Sequence, residues 1–351
     1  MSREEQFDTI VIGGGQSGLA ASYYLSQRGV NHLVLDENFQ VGTPWKSRWD
    51  SLRLFTPNHN NHLPGMNFPG KEFDFPSKDE AAAYLEAYTH KYQLPIQTGI
   101  KVNGLAQNEA GYRISTADSN FQVNHVIIAT GAFHTPYIPP ISKELPRDIL
   151  QLHSVNYQNP NSIQGQNIVV VGAGNSGAEI AMELSKAGRN IWLAGRDVGR
   201  IPADKFGKFF GGKPYWWFMR HVMTIHTPIG RKMRSTVLSH GNPLIRASRE
   251  QIAAAGVEFT PRLTGVKSGK LQVEGGRALP ADGVIWATGF KPDYRWINIP
   301  LFDASGYPRH KRGIVSEAPG LFFIGLHFQT GITSSLMGGV GADAKYITSQ
   351  I

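Results

Sequence analysis

Phe7-Asp8-Thr9-Ile10-Val11-Ile12-Gly13-Gly14-Gly15-Gln16-Ser17-Gly18 opens the stretch that decides the fold, and the stretch runs on to Asp36. Ile10 to Ile12 is a β-branched apolar run. A helical pattern follows the glycines through Leu19, Tyr23, Tyr24 and Leu25, and Gly29 stops it. Leu33-Val34-Leu35 reads as a second strand, and Asp36 lies 18 residues beyond Gly18. Strand, G-x-G-x-x-G, helix, strand and acid together form a dinucleotide-binding fingerprint. Gly13 permits the tight turn, Gly15 lets a pyrophosphate approach the backbone, and Gly18 lets helix and strand pack closely. The helix N-terminus offers free N–H groups and a positive dipole end to phosphates. Asp36 can accept hydrogen bonds from a ribose 2′-hydroxyl.

The motif occurs twice. Ile168 to Val171 leads into Gly172-Ala173-Gly174-Asn175-Ser176-Gly177, a helical pattern runs through Ile180, Met182 and Leu184, and Ile191-Trp192-Leu193 is the next strand. Two fingerprints imply two dinucleotides, a bound flavin and a visiting nicotinamide. Counting on from Gly177 as from Gly18 reaches Gly195 instead of an acid, with Arg196 next. An acid there would repel a 2′-phosphate, whereas an arginine pairs with it bidentately. The first site is therefore expected to take FAD and the second NADPH, with Asp197 beside Arg196 leaving NADH open.

The 351 residues suffice for two domains, and 39 glycines suit a turn-rich α/β fold. The N-terminus is polar and no apolar run approaches the roughly 18 residues of a membrane span, so the chain reads as cytoplasmic. There is no cysteine. That excludes structural disulfides, thiolate metal sites and the redox-active pair of a flavin disulfide reductase. The net charge of +8 is scattered apart from Arg231-Lys232-Met233-Arg234, which fits attraction of anionic cofactors better than nucleic acid.

Along the chain, Gly42-Thr43-Pro44-Trp45 is a turn, and Asn58 to Phe75 is expected to be a solvated loop whose His59 and His62 lack a third metal ligand. Ser77-Lys78-Asp79-Glu80 is a capping box that starts a helix ending before Leu94-Pro95. Ile100 to Val102 looks like a strand, and Tyr112 to Ser115 with Phe121 to Val123 like a small meander. Strands ending in Ala-Thr-Gly occur at Ala129-Thr130-Gly131 and Ala287-Thr288-Gly289. Pro136 to Pro160 reads as the crossing between domains. From Ile201 to Ile245, Phe206, Phe209, Phe210, Tyr215, Trp216, Trp217 and Phe218 crowd a segment that a minimal nucleotide domain does not need. It reads as a cover for the substrate or nicotinamide, a subunit interface, or a membrane-surface segment. Leu321 to Gly325 is a strand ending in glycine, and a final helix starts near Gly341.

With both fingerprints, two Ala-Thr-Gly strands and the Gly-x-x-Trp turn in place, the chain resembles the bacterial flavin-containing monooxygenases, the class B flavoprotein monooxygenase group. The resemblance implies an α/β fold of two Rossmann-like dinucleotide-binding domains, a FAD domain interrupted by an NADP domain. The expected boundaries are 1–158 and 290–351 for the first and 159–289 for the second. It implies that NADPH reduces the flavin, that oxygen adds at the flavin C4a carbon, and that the hydroperoxide oxygenates a soft nitrogen or sulfur, as in sulfoxidation, or a ketone. It carries FAD contacts to Gly13, Gly15, Gln16, Ser17, Gly18, Asp36, Glu37, Trp45, Val102, Thr130, Gly131 and Gly325. It carries NAD(P)H contacts to Gly172, Gly174, Asn175, Ser176, Gly177 and Arg196. A homodimer acting on a small molecule and O2 suits the family, with no metal.

Two positions depart from the family pattern. Phe55 stands where larger members place an asparagine beside the flavin. The F-x-G-x-x-x-H signature keeps only His153, with Arg147 and Ile149 replacing its Phe and Gly, so a Baeyer–Villiger assignment cannot rest on it. The loss of the amide keeps a second reading open, an NAD(P)H oxidase or flavin reductase that makes peroxide. A third is a nucleotide-sensing regulatory subunit.

Overall fold

The computed structural model describes residues 7–201, 212–240 and 243–351. In the first half, the buried strand β1 (Thr9–Ile12) passes through the glycine turn into α1 (Gln16–Gln27) and then β2 (His32–Asp36). Helix α2 (Lys78–Lys91) starts on the expected capping box: the Ser77 hydroxyl accepts from the Glu80 N–H, and the Glu80 carboxylate accepts from the Ser77 N–H. Next come β3 (Ile96–Thr98), β4 (Gly104–Asn108), β5 (Gly111–Ser115), β6 (Asn120–Val123) and β7 (His125–Ile128). β4, β5 and β6 form an antiparallel meander.

The strand expected at Ile100–Val102 is irregular chain. The ladder with β2 ends at Asp36 against Thr98, and Gly99 then turns the backbone at a φ of +75°. The apolar residues that suggested a strand point instead into a cleft described below. The Asn58–Phe75 loop also differs from expectation. Its Leu63 and Phe68 join the core, and Asn58, Asn60 and Asn61 are buried, so it is a packed loop and not a solvated one. The hydroxyls of Tyr84 and Tyr88 in α2 hold it by bonding the Met66 and Pro64 carbonyls. Among the described residues no cluster of potential metal ligands is found.

Two short strands connect the halves: β8 (Thr135–Pro136) and, much later, β17 (Phe290–Lys291), which pair antiparallel. Between them lie β9 (Leu150–His153), β10 (Asn167–Val171), α3 (Asn175–Lys186), β11 (Asn190–Ala194), α4 (Lys213–His221), α5 (Pro228–His240), α6 (Arg249–Ala254), β12 (Val257–Thr260), β13 (Leu263–Lys267), β14 (Lys270–Val273), β15 (Ala278–Leu279) and β16 (Gly283–Trp286). Then β18 (Leu321–Phe323) and α7 (Val340–Thr348) return to the first half. α7 packs on α1.

Two parallel five-stranded sheets result. Their orders are β18-β7-β1-β2-β3 and β9-β16-β10-β11-β12, the same arrangement built twice. The glycine turns therefore leave the central strand of each sheet at the point where strand order reverses, which is where open α/β sheets bind ligands. The central strands read as continuous apolar runs because helices or meanders cover both faces. β9 lies upstream of the boundary expected at residue 158, yet it pairs with β16 in the second sheet. The crossing segment thus supplies an edge strand to the domain it leads into. Among the described residues no helix is long and apolar enough to cross a membrane.

Candidate functional site

The two glycine turns superpose in chemistry as well as in order. Gly13 and Gly172 both sit at a φ of +111°, and a Cβ on either would strike a backbone carbonyl, that of Ala129 or Ala287. A Cβ on Gly18 would lie 1.9 Å from the Gly13 carbonyl oxygen, and one on Gly177 equally close to that of Gly172. Gly18 and Gly177 thus set the helix against the strand. Gly15 and Gly174 differ from all of these: a Cβ on either would meet nothing within 4 Å. They cap α1 and α3 without any side-chain hydrogen bond, so the first N–H groups of both helices face open space. That is a cradle suited to an anion, built twice.

At the first turn the cradle opens into a cleft of about 520 Å3. Gly13, Gly15, Gln16, Ser17, Asp36, Glu37, Val102, Thr130, Gly131 and Gly325 all line it. Gly325 is where the return strand meets α1: its φ is +80°, and a Cβ would lie 2.2 Å from the Ser17 hydroxyl. Asp36 is buried and fixed, accepting from the Gly14 N–H at 2.5 Å through one oxygen and from the Asn38 N–H at 2.7 Å through the other. Two expected residues lie off the cleft. Gly18 sits behind it, and Trp45 packs half-buried on the core, while its neighbours Pro44, Ser47 and Arg48 face the cavity.

The rest of the lining comes from connectors that carry no motif: His134, Phe290 and Asp293 among them. His134 joins the two sides. Its Nε2 donates to the Thr130 carbonyl at 3.1 Å, and its Nδ1 accepts from the Asp293 N–H at 2.9 Å. Hydrogen bonds from Arg295 hold the Asp293 carboxyl down at about 2. His153 ties the connectors together in the same way. Nε2 donates to the Gly289 carbonyl at 2.9 Å, Nδ1 accepts from the Val155 N–H, and the ring edge meets Phe290 at 5.1 Å. Burial lowers its pKa against the opposing Gly289 bond, and nearby Arg48 lowers it further. Its surviving signature residue is therefore a neutral strut.

At the second turn, register confirms the counting from sequence. Ile12 pairs with Leu35 just before Asp36, and Val171 pairs with Ala194 just before Gly195. Gly195 therefore occupies the acid's position. Arg196 is exposed and makes no hydrogen bond or ion pair with the described residues, whereas Asp197 is drawn to Arg249 at 3.3 Å and to the Gly199 N–H. The Asn175 side chain is committed elsewhere, bonding the Pro243 carbonyl and the Ile245 N–H. Only its backbone, with those of Ser176 and Gly177, opens the helix.

Phe55 does not line the large cleft. It faces a second cavity of about 40 Å3 with Tyr215, Trp216, Met219, His327 and Leu336, and this cavity shares Ser335 with the cleft. Part of the aromatic segment thus covers this place: Trp216, Met219 and Met223 pack against Ile332 and Leu336 of the return segment. Trp217 and Phe218 face outward. Phe206, Phe209 and Phe210 lie outside the described residues.

A sequence profile of the pyridine nucleotide-disulphide oxidoreductases matches residues 10–205, from the first fingerprint through the second. The chain belongs to that family. This oxidoreductase is 36% identical to the CzcO-like oxidoreductase of Geobacillus kaustophilus over 348 residues, 98% of each chain. It is 38% identical to the CzcO oxidoreductase of Bacillus subtilis over 349 residues, 98% of this chain and 99% of that one. The solved flavin-containing monooxygenase from Stenotrophomonas maltophilia superposes with a TM-score of 0.81 at 26% identity, covering 98% of both chains. The family name includes disulfides, but this oxidoreductase has no cysteine to relay electrons through. It is built as the flavin monooxygenases are, with a FAD site and a pyridine-nucleotide site.

Proposed function

We propose that this oxidoreductase is a FAD-dependent monooxygenase that draws electrons from NADPH in preference to NADH. It transfers one atom of O2 to a soft nitrogen or sulfur nucleophile, or to a ketone, and the other atom leaves as water. One observation carries the assignment of the two nucleotides. At equivalent register positions the first cradle ends on buried Asp36, and the second on Gly195 followed by Arg196, a cation unpaired among the described residues. The residues of the large cleft suit FAD. Gly15 leaves room for a pyrophosphate, and Asp36 stands at the strand end where a ribose hydroxyl would bond. The flavin, when bound, supplies the hydride acceptance and oxygen activation; the chain supplies position and shelter from water. In this reading α1 holds the diphosphate, Asp36 the ribose, and the α4 aromatics with Phe55 close off water above Ser335. The family resemblance extends the proposal to a cytoplasmic homodimer.

Phe55 favours the second reading, an oxidase or flavin reductase, because no side-chain amide stands at that place. Product balance separates the two. With the yellow protein, NADPH, O2 and an aryl methyl thioether, sulfoxide formed per NADPH consumed is expected in substantial yield and unchanged by catalase. Peroxide alone, across a panel of thioethers, amines and ketones, would overturn the monooxygenase reading.

A further inference from the structure

Arg48 sits where the two halves meet. Its neighbour Trp49 is buried in the core of the second half, and the Asp50 N–H bonds the Gln158 carbonyl at 2.7 Å. Arg48 itself turns the other way, onto the large cleft, beside Pro44, Ser47, Val155 and Phe290. Its guanidinium lies 5.3 Å from the centre of the Phe290 ring. No carboxylate among the described residues pairs with it. The nearest acid in sequence, Asp50, instead accepts from the Asn159 amide at 2.9 Å. The other charge beside it, His153, is held neutral by its two hydrogen bonds. Burial of the guanidinium lowers its pKa, the sign of a cation taken out of water without an acid to compensate. A planar cation with five donors, stacked on a ring and facing a cleft that holds an anion cradle, is suited to a phosphate.

We propose that Arg48 is an anion anchor that binds a phosphate of a dinucleotide in the large cleft. The inference rests on reading that cleft as a nucleotide site. Two dinucleotides could present the phosphate, FAD within the cleft or the nicotinamide dinucleotide reaching over the junction, and the experiment distinguishes them. The variants are Arg48→Gln and Arg48→Lys, each checked for folding by circular dichroism. FAD affinity is measured on deflavinated protein by quenching of free FAD fluorescence, and KM and kcat are then measured for NADPH and NADH at saturating FAD.

A charge-assisted pair lost from a sheltered site should weaken binding by about 10- to 100-fold, with Lys restoring part of it. If FAD affinity falls by that factor, the phosphate is the flavin's. If FAD binds normally while KM rises alike for NADPH and NADH with kcat retained, it belongs to the nicotinamide dinucleotide. Unchanged FAD affinity and unchanged KM overturn the anchor, as does a fall in kcat alone. Failure of the unaltered protein to bind FAD would instead sink the reading of the cleft.

Discussion

A single position separates the two nucleotide sites, and it is testable alone. Arg196 is exposed, unpaired among the described residues and placed just past Gly195, so its worth to a 2′-phosphate is that of a bidentate charged pair. Arg196→Ala is expected to raise KM for NADPH about 10- to 100-fold and to leave KM for NADH nearly unchanged. Equal losses on both would refute the 2′-phosphate role. At this scale the glycines were legible in the sequence because a backbone that must turn or be approached admits little else. Arg48, His134 and Phe290 were not. They come from connectors, and nothing in their local sequence says that three separate segments converge on one cleft. Trp45 lies off the cleft for the opposite reason: it belongs to a recognisable turn, but the face of that turn is set by packing against the core.

Elements were legible wherever a local rule and the tertiary structure agree. Both fingerprints, both Ala-Thr-Gly strands and the capping box of α2 are of this kind. The box ties α2 to the small cavity, since Tyr84 and Tyr88 of that helix hold the loop that follows Phe55. Ser77→Ala removes the acceptor for the Glu80 N–H and is expected to cost about 1 kcal/mol in a denaturant melt. No loss, in a variant whose helix content is unchanged, would mean that packing alone starts the helix. Ile100–Val102 misled because an apolar alternation that lines an open cleft looks the same as one that lines a core. Only Gly99, with its positive φ, marks where the ladder stops.

At the scale of the whole molecule, the return segment and the inserted half bring a buried histidine close to an arginine, and acid should disturb that place. His310 of the return segment lies near Arg234 of α5. Its Nδ1 accepts from the Gly313 N–H, and burial, aided by the Arg234 charge, brings its pKa down to about 4. A histidine with a folded value below its ordinary 6.5 stabilises fully above pH 6.5. That stability is lost as pH falls from 6.5 to 4, because the unfolded chain takes up the proton first. The share at stake is roughly 2 kcal/mol by pH 5. Between pH 7.5 and 5 the unaltered protein should therefore lose more stability than His310→Asn, by about that amount; equal losses would remove His310 from the account. The duplication of the sheets was readable from the repeated motifs. The placement of β9 was not, because Leu150–His153 acquires its partner only when β16, more than a hundred residues later, is in place.

That threading has a consequence for the nascent chain. All strands of the β9-β16-β10-β11-β12 sheet are in hand once Trp286 has been made, but the β18-β7-β1-β2-β3 sheet still waits for Leu321–Phe323, and α1 waits for α7 to cover it. Synthesis from the N-terminus therefore reverses the usual order, in which the earlier unit folds first. The segment made first spends longest with its apolar strands exposed, while the segment made in the middle can complete its own sheet.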